Sequence, residues 1–165
     1  MSFQTQVNAT PAPAVAGDFA STNPRASVLA GPGGLVAAAG GVTVGCFAWL
    51  DTTSYTTAAN AGSGQPDGFV RNSRAGLITA YGAEASLVIP AGFPVELFNE
   101  GDFWARNAGT AAAVPGQKVF AGTGTGQVAC AATGTALAGF VETTWVCRSA
   151  GAVGELVKIS SRAQA

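Results

Sequence analysis

Glycine divides this chain into short apolar segments, and this pattern constrains its fold more than any other feature of the sequence. The 165 residues include 23 glycines, and no stretch between them keeps the 3.6-residue apolar repeat of an amphipathic helix. The segments instead alternate with a two-residue period and contain β-branched and aromatic residues, as is typical of strands. Many short strands at close spacing predict an all-β fold, either a jelly-roll-like sandwich or a barrel.

The alternation is clearest over residues 42–50. In a strand, Phe47 and Trp49 share one face, and the opposite face carries Val42, Val44, Cys46, Ala48 and Leu50. Because both faces are apolar, the segment predicts either a strand covered on both sides or one whose outer aromatic residues contact another subunit. Residues 51–67 are rich in Thr, Ser, Ala, Asn and Gly, which predicts a long irregular loop.

The clearest local prediction is a hairpin. Residues 93–99 and 102–108 flank Glu100-Gly101, where a glycine can take the positive φ that a tight turn demands. A second turn is predicted at residues 122–126, because this Gly-Thr-Gly-Thr-Gly run lacks the following Lys and the adjacent helix of a phosphate-binding loop. Further strands are predicted at residues 69–70, 77–79, 86–89, 117–121, 127–131, 138–147 and 155–160.

The N-terminal residues differ in composition from the rest. Residues 1–25 are rich in Ala, Thr, Asn and Pro, which predicts an extended arm, and residues 26–165 are predicted to form a single β domain. A disordered tail is the alternative, although Val15, Phe19 and Val28 are apolar anchors that a plain linker lacks.

Residues 1–20 contain no Lys or Arg and no continuous apolar block, so we expect no secretory signal and synthesis in the cytoplasm. Glycines interrupt the uncharged run at 26–50, so no membrane span is expected.

The chain lacks histidine, the side chain on which the commonest hydrolytic and metal-binding sites depend. It has no His, and only 10% of its residues are charged. We therefore expect no catalytic triad, no metal site and no cofactor. Its three Cys residues are widely separated and are expected to be small buried hydrophobic residues. The formal charge is −1, and Arg71 with Arg74 is the nearest approach to a basic cluster, so nucleic acid is not an expected partner.

Two chemical alternatives remain open in the sequence. Glu96, Glu100 and Asp102 are close enough in sequence to suggest a carboxylate-based hydrolase, although solvated turn residues are the simpler and favoured explanation. The aromatic residues instead allow a tail-fibre-like or other carbohydrate-binding β module, in which exposed rings contact sugars. The low charge favours a third class, a non-enzymatic protein with broad contact surfaces.

Several segments resemble those of the capsid cement, or decoration, proteins of tailed bacteriophages. In the N-terminal half these are Gly17-Asp-Phe-Ala20, Asn23-Pro-Arg25 and Val42-Thr-Val-Gly-Cys-Phe-Ala-Trp49. The later segments are Glu100-Gly-Asp-Phe-Trp-Ala105, Val114-Pro-Gly-Gln-Lys-Val-Phe-Ala121 and Gly154-Glu-Leu-Val-Lys-Ile159. The resemblance covers residues 17–160 except the loop at 51–68.

The resemblance implies a capsid stabilisation protein on the outer surface of the virion. Such a protein would bind the major capsid protein of the same phage and staple adjacent subunits of the expanded shell, without nucleic acid or membrane as a partner. Self-association as a homo-oligomer is expected, with a homodimer favoured over a homotrimer because closed twofold pairs are commonest. The segment around Phe19 is expected to pair with a neighbouring subunit. The full set of predicted contact residues is Phe19, Trp49, Arg71, Arg74, Trp104 and Arg106.

Overall fold

The computed structural model describes residues 13–74, 78, 81–82 and 86–162. Within these residues the protein contains no helix, and therefore none that could span a membrane. The all-β prediction is thus confirmed. The strands are β1 (Ala26–Ser27), β2 (Val36–Ala37), β3 (Val42–Thr43), β4 (Phe47–Leu50), β5 (Thr57–Ala59), β6 (Gly68–Val70), β7 (Val88–Ile89), β8 (Leu97–Glu100), β9 (Asp102–Arg106), β10 (Lys118–Gly122), β11 (Val128–Ala131), β12 (Phe140–Cys147) and β13 (Leu156–Ser160).

Across the described residues the strands form three sheets. The six-stranded sheet has the order β1-β8-β6-β4-β5-β2, and the five-stranded sheet has the order β11-β10-β12-β13-β9. Strands β3 and β7 form a small separate pair. Neighbouring strands are antiparallel except β2 and β5, which run parallel. The two larger sheets pack as a β-sandwich, one of the two architectures expected from the sequence.

Strands β4, β6 and β8 form a middle layer with an apolar core on each side. Alternate side chains point to opposite faces of a strand, so Phe47 and Phe69 enter one core while Ala48 and Val70 enter the other. The aromatic core, between this layer and the five-stranded sheet, consists of Phe47, Trp49, Phe69, Phe103, Ala105, Ala113, Val119, Ala121, Val128, Cys130, Trp145, Cys147, Val157 and Ile159. The aliphatic core consists of Leu35, Ala37, Val42, Val44, Ala48, Leu50, Ala58, Val70, Ile89, Val95 and Leu97.

The six-stranded sheet wraps around the aliphatic core. Strand β2 pairs with β5 on one side, and on the other it meets the residues that lead into β8. There the Val95 amide donates to the Leu35 carbonyl at 2.9 Å, and the Ala37 amide donates to the Phe93 carbonyl at 2.9 Å. The sheet therefore has much of the character of a small closed barrel, in which few strand edges remain unpaired.

The hairpin predicted at residues 93–108 is wrong. Strand β8 pairs with β6 and β1, whereas β9 pairs with β13 in the other large sheet. Between them Gly101 has φ 141°, and a Cβ atom there would lie 2.9 Å from the Phe103 ring. The glycine thus allows a sharp corner at which the chain crosses from one sheet to the other. The Phe98 and Phe103 rings consequently face each other across the sandwich, with centroids 5.6 Å apart.

The single strand predicted at residues 42–50 is two strands, because Gly45 interrupts it. Gly45 has φ 72°, a conformation that favours glycine, and a Cβ atom there would lie 2.6 Å from the Ala16 Cβ. Strand β3 therefore pairs with β7, while β4 joins the six-stranded sheet. Over β4 itself, all four residues are buried, which confirms the prediction of a strand covered on both sides. The loop predicted at residues 51–67 contains β5.

The other strand predictions agree with the structure within a few residues. Strands β6, β7, β10, β11, β12 and β13 occupy the predicted segments. The turn predicted at residues 122–126 does join a hairpin, since β10 and β11 are antiparallel neighbours. The strand predicted at 77–79 lies outside the described residues apart from residue 78. The three cysteines are buried, as expected from the sequence.

Candidate functional site

Residues 17–20, part of the predicted N-terminal arm, lie along the edge strand β9. The Gly17 amide donates to the Trp104 carbonyl at 2.8 Å, and the Trp104 amide donates to the Asp18 carbonyl at 2.9 Å. The Ala20 amide donates to the Asp102 carbonyl at 2.9 Å. The resemblance predicts that this segment pairs with a neighbouring subunit, but here it pairs with its own chain, because β9 otherwise has an unpaired edge.

The Phe19 ring lies between aromatic and cationic side chains of its own chain. Its centroid is 5.1 Å from that of Phe103 and 5.5 Å from that of Phe98. The guanidinium carbons of Arg25 and Arg71 lie 4.0 and 4.8 Å from the ring centroid, within the range of cation–π attraction. Arg71 also forms an ion pair with Glu96. The structure thus brings together two of the predicted contact residues, Phe19 and Arg71.

Trp49 is placed differently from the other predicted contact residues. Its side chain belongs to the aromatic core and is only 7% exposed. A Cβ atom on Gly62 would lie 2.2 Å from the Trp49 ring, and its indole N–H donates to the Gly64 carbonyl at 3.2 Å. This burial is at odds with an intersubunit contact, because residues 62–64 of the same chain already cover the ring.

Trp104 and Arg106 lie on the outer face of the five-stranded sheet. Both belong to β9, where their neighbours Phe103 and Ala105 point into the aromatic core. Trp104 is half-buried, and the Lys158 ammonium lies 5.0 Å from its ring centroid. Arg106 is exposed and donates from Nη1 to the Gly154 carbonyl at 3.1 Å. These residues form a partly apolar, positively charged surface.

Arg74 lies three residues after Arg71 in the chain. It is exposed, has φ 60°, and its backbone amide donates to Asn72 Oδ1 at 3.2 Å. The six predicted contact residues therefore occupy four places: the Phe19–Arg71 stack, the core position of Trp49, the Trp104–Arg106 face, and Arg74.

A pocket of about 390 Å³ lies beside Lys158. Sequence reasoning missed its basic residues, Arg148 and Arg162, as well as Lys158 itself. The two-residue spacing of Lys158 and Ser160 was a usable signal, because it places both on one face of β13. Arg162 lies two residues beyond the end of that strand. Arg148 joins them only through strand pairing, since its amide donates to the Lys158 carbonyl at 2.7 Å. The full lining is Ala20, Ser21, Asn23, Pro24, Asp102, Arg148, Lys158, Ile159, Ser160 and Arg162.

Asp102 anchors residues 21–23 to this pocket. Its Oδ2 atom accepts hydrogen bonds from Ser21 Oγ and Asn23 Nδ2, both at 2.6 Å. Partial burial acts to raise the pKa of Asp102. Hydrogen bonds from Ser160, Ser21 and Asn23, together with the charge of Arg162, outweigh burial and hold this pKa below its usual value of 3.8.

The three carboxylates considered for hydrolysis each have a separate partner. Glu96 pairs with Arg71, Glu100 pairs with Arg162 at 3.3 Å, and Asp102 holds Ser21 and Asn23. The part of the chain that the structure describes has no group of three or more His, Cys, Asp or Glu side chains placed to hold a metal ion. The site offers instead an aromatic ring, several cations and exposed β-sheet surface, which suit contact with another protein.

Comparison with known proteins identifies the family. A family model described as XM1 gp53 minor capsid protein matches residues 3–161. The chain belongs to this family. It is therefore a structural protein associated with a phage capsid, and the resemblance to capsid-associated phage proteins is confirmed. No curated protein matches the chain.

The fold of this minor capsid family member is also found in a solved capsid. A chain of the capsid of Myoviridae phage XM1 superposes with a TM-score of 0.69, and the match covers 98% of each chain. The sequence identity is 14%, so this similarity is one of fold.

Proposed function

We propose that this minor capsid protein is a cement protein that binds the outer surface of the phage head and staples adjacent major-capsid subunits of the expanded shell. The observation that carries this proposal is the position of Trp104. Of the three tryptophans in the chain, Trp49 and Trp145 are 7% and 4% exposed, whereas Trp104 lies half-buried on an outer sheet face beside Lys158 and Arg106. Reachable Trp and Arg side chains are the residues that most often dominate protein–protein contacts.

A protein that staples two subunits needs a second contact region. We propose the surface around Arg71 and Arg74, beside the Phe19 ring, because these residues follow β6 rather than β9. Arg74 is exposed, and the half-buried Arg71 pairs with Glu96 at the same place. Trp49 is left out of the proposed surface because its ring is buried. The low charge of the chain, 10% of residues, suits broad contacts that need little desolvation of ions.

The proposed partners are the major capsid protein of the same phage and further copies of this chain, with a dimer favoured over a trimer. Many equivalent shell sites would let modest contacts combine, since an oligomer that binds at one point gains effective concentration at the next. A net charge of −1 gives no support for nucleic-acid binding. We propose synthesis in the host bacterial cytoplasm followed by addition to the shell.

Binding to expanded shells of the major capsid protein, measured by co-sedimentation and imaged by electron cryomicroscopy, tests the proposal. Trp104→Ala should weaken binding by about tenfold or more, because a central aromatic contact contributes on the order of 2 kcal/mol. Phe93→Ala is the matched control, since Phe93 is an exposed aromatic residue in a different part of the sequence. Density on the inner surface of the shell, or no binding by the unaltered protein, would contradict the proposal. Glycan binding that depends on Trp104 would support the carbohydrate-binding alternative.

A further inference from the structure

Three of the eight Lys and Arg residues line one pocket. Arg148, Lys158 and Arg162 face it together with a single carboxylate, Asp102. This concentration of positive charge is notable in a chain whose net charge is −1. The Asp102 Oδ2 atom already accepts hydrogen bonds from Ser21 and Asn23. The pocket therefore has an excess of positive charge that its own carboxylate does not balance.

The cations of this pocket have unused hydrogen-bonding capacity. Arg148 Nη2 donates to the Arg162 carbonyl at 2.6 Å, but its Nε is buried with no partner among the described residues. Neither Arg148 nor Lys158 has an ion-pair partner within the part of the chain that the structure describes. Arg162 pairs with Glu100 at 3.3 Å on the exposed surface. Arg148 and Lys158 both line this cavity, and a guanidinium beside an ammonium suits an anionic oxygen group.

We propose that this pocket binds a carboxylate from an acidic segment of a capsid protein. The inference rests on the proposed function and names the chemistry of one contact. Lys158 connects the pocket to the proposed contact surface, because the same ammonium lies 5.0 Å from the Trp104 ring centroid. A partner chain that covers Trp104 would therefore lie beside the pocket, where an Asp or Glu side chain can enter. Carboxylate is favoured over nucleic-acid phosphate because the chain has a net charge of −1, whereas nucleic-acid-binding proteins usually carry a broad positive surface.

A peptide titration of the isolated protein tests the pocket without any capsid. The probe is an acetylated triglutamate peptide, with triglutamine as its uncharged counterpart, and the readout is the backbone amide NMR shifts of Arg148, Lys158 and Ser160. Triglutamate should shift these amides and triglutamine should not. The double variant Arg148→Gln/Lys158→Gln should weaken the interaction about tenfold or more. Lys118→Gln is the matched control, because it removes a lysine from the same sheet outside the pocket.

Several outcomes would overturn the inference. These are the absence of triglutamate shifts, an equal loss of binding in Lys118→Gln, or no loss in the double variant. Tighter binding of a short DNA duplex than of triglutamate would make nucleic acid the partner instead.

Shell binding separates this inference from the proposed function. If the unaltered protein binds shells and the double variant binds equally well, the pocket inference fails while the cement function stands. If the unaltered protein does not bind shells, the cement function fails, and the peptide titration still decides whether the pocket binds carboxylates. Thermal unfolding of each variant must match the unaltered protein, which excludes loss of fold as the cause.

Discussion

The two cores of this protein differ in composition and in the surface they support. In the aromatic core the Phe69 ring contacts those of Phe47, Phe103 and Trp145, with centroids 5.2 to 6.0 Å apart. The aliphatic core contains only Ala, Val, Leu and Ile side chains. Two sheets that pack face to face lie about 10 Å apart, a gap that rings fill well. A tightly curved sheet encloses less space and suits smaller side chains.

The two cores also differ in their relation to the proposed contact surface. Strand β9 contributes Phe103 and Ala105 to the aromatic core and presents Trp104 and Arg106 on its outer face. The proposed contact surface is therefore supported directly by the ring cluster. The aliphatic core lies on the far side of the middle layer and has no such connection through β9. Rigid aromatic packing beneath the proposed surface would hold its side chains in place for binding.

The largest expected effect is a difference in the stability lost when a side chain is removed from each core. Two adjacent residues of β6, Phe69 and Val70, allow this comparison. Phe69→Ala should reduce the free energy of unfolding by about 3–5 kcal/mol, because it removes a fully buried ring and leaves a cavity. Val70→Ala should cost about 2 kcal/mol, since only two methyl groups leave the aliphatic core. Urea unfolding with an unchanged m-value is the measurement. Equal losses would show that ring packing adds nothing to the aromatic core.

The next largest effect concerns the turn that packs against the end of the aromatic core. Gly126 has φ 66°, and a Cβ atom there would lie 2.0 Å from the Phe47 carbonyl oxygen. Gly126→Ala should therefore cost about 1–3 kcal/mol from backbone strain, and more from the clash. Gly124→Ala in the same turn is the control, because nothing lies within 4 Å of its Cβ position. Thermal unfolding should show a clear loss for the first variant only. Similar loss in both would mean that docking of the turn on β4 is unimportant.

The smallest expected effect is a pH-dependent contribution from Asp102, which ties residues 21–23 to the aromatic side of the molecule. Because the pKa of Asp102 is lower in the folded protein than its usual 3.8, its carboxylate stabilises the fold above that pH. This contribution is lost as the pH falls through the folded pKa. Asp102→Asn should lower stability by less than about 1 kcal/mol near neutral pH, since solvent screens the group.

The measurement for Asp102 is the free energy of unfolding of the unaltered protein and of Asp102→Asn, from about pH 6 to about pH 2. The difference in stability should be constant above about pH 5 and shrink below about pH 4. Glu100→Gln is the comparison, because its pairing with Arg162 is more exposed. A difference that grows on acidification would contradict the sign argued for Asp102.

Strand positions were predictable because they depend on local pattern. The segments that became β10, β11, β12 and β13 alternate between glycine turns, and their boundaries agree closely with the structure. The apolar residues on both faces of β4 predicted its burial between two layers, although this evidence alone did not exclude an exposed Trp49. The role of Gly101 was mistaken, since a glycine with positive φ serves a hairpin turn and a corner between sheets equally well.

The contact surface was only partly predictable. Trp104 and Arg106 share one face of β9, and Lys158 and Ser160 share one face of β13, as strand alternation predicts. Arg162 lies beyond the end of β13. Their meeting depends on the pairing of β9 with β13, strands that are about 50 residues apart in the chain. The backbone hydrogen bond from the Arg148 amide to the Lys158 carbonyl places Arg148 beside the pocket. No local pattern encodes either pairing.

The sequence by itself determined an all-β protein of short strands, because glycine spacing and two-residue alternation act on neighbouring residues. Its lack of His and its low charge directed interpretation toward protein contact rather than catalysis. Tertiary structure alone decided that β8 and β9 separate into different sheets, that Trp49 is covered, and that three cations share one pocket. The physical reason is that these features arise from hydrogen bonds and packing between segments that are distant in the sequence. Which strands pair depends on the stability of the whole fold and not on any one segment.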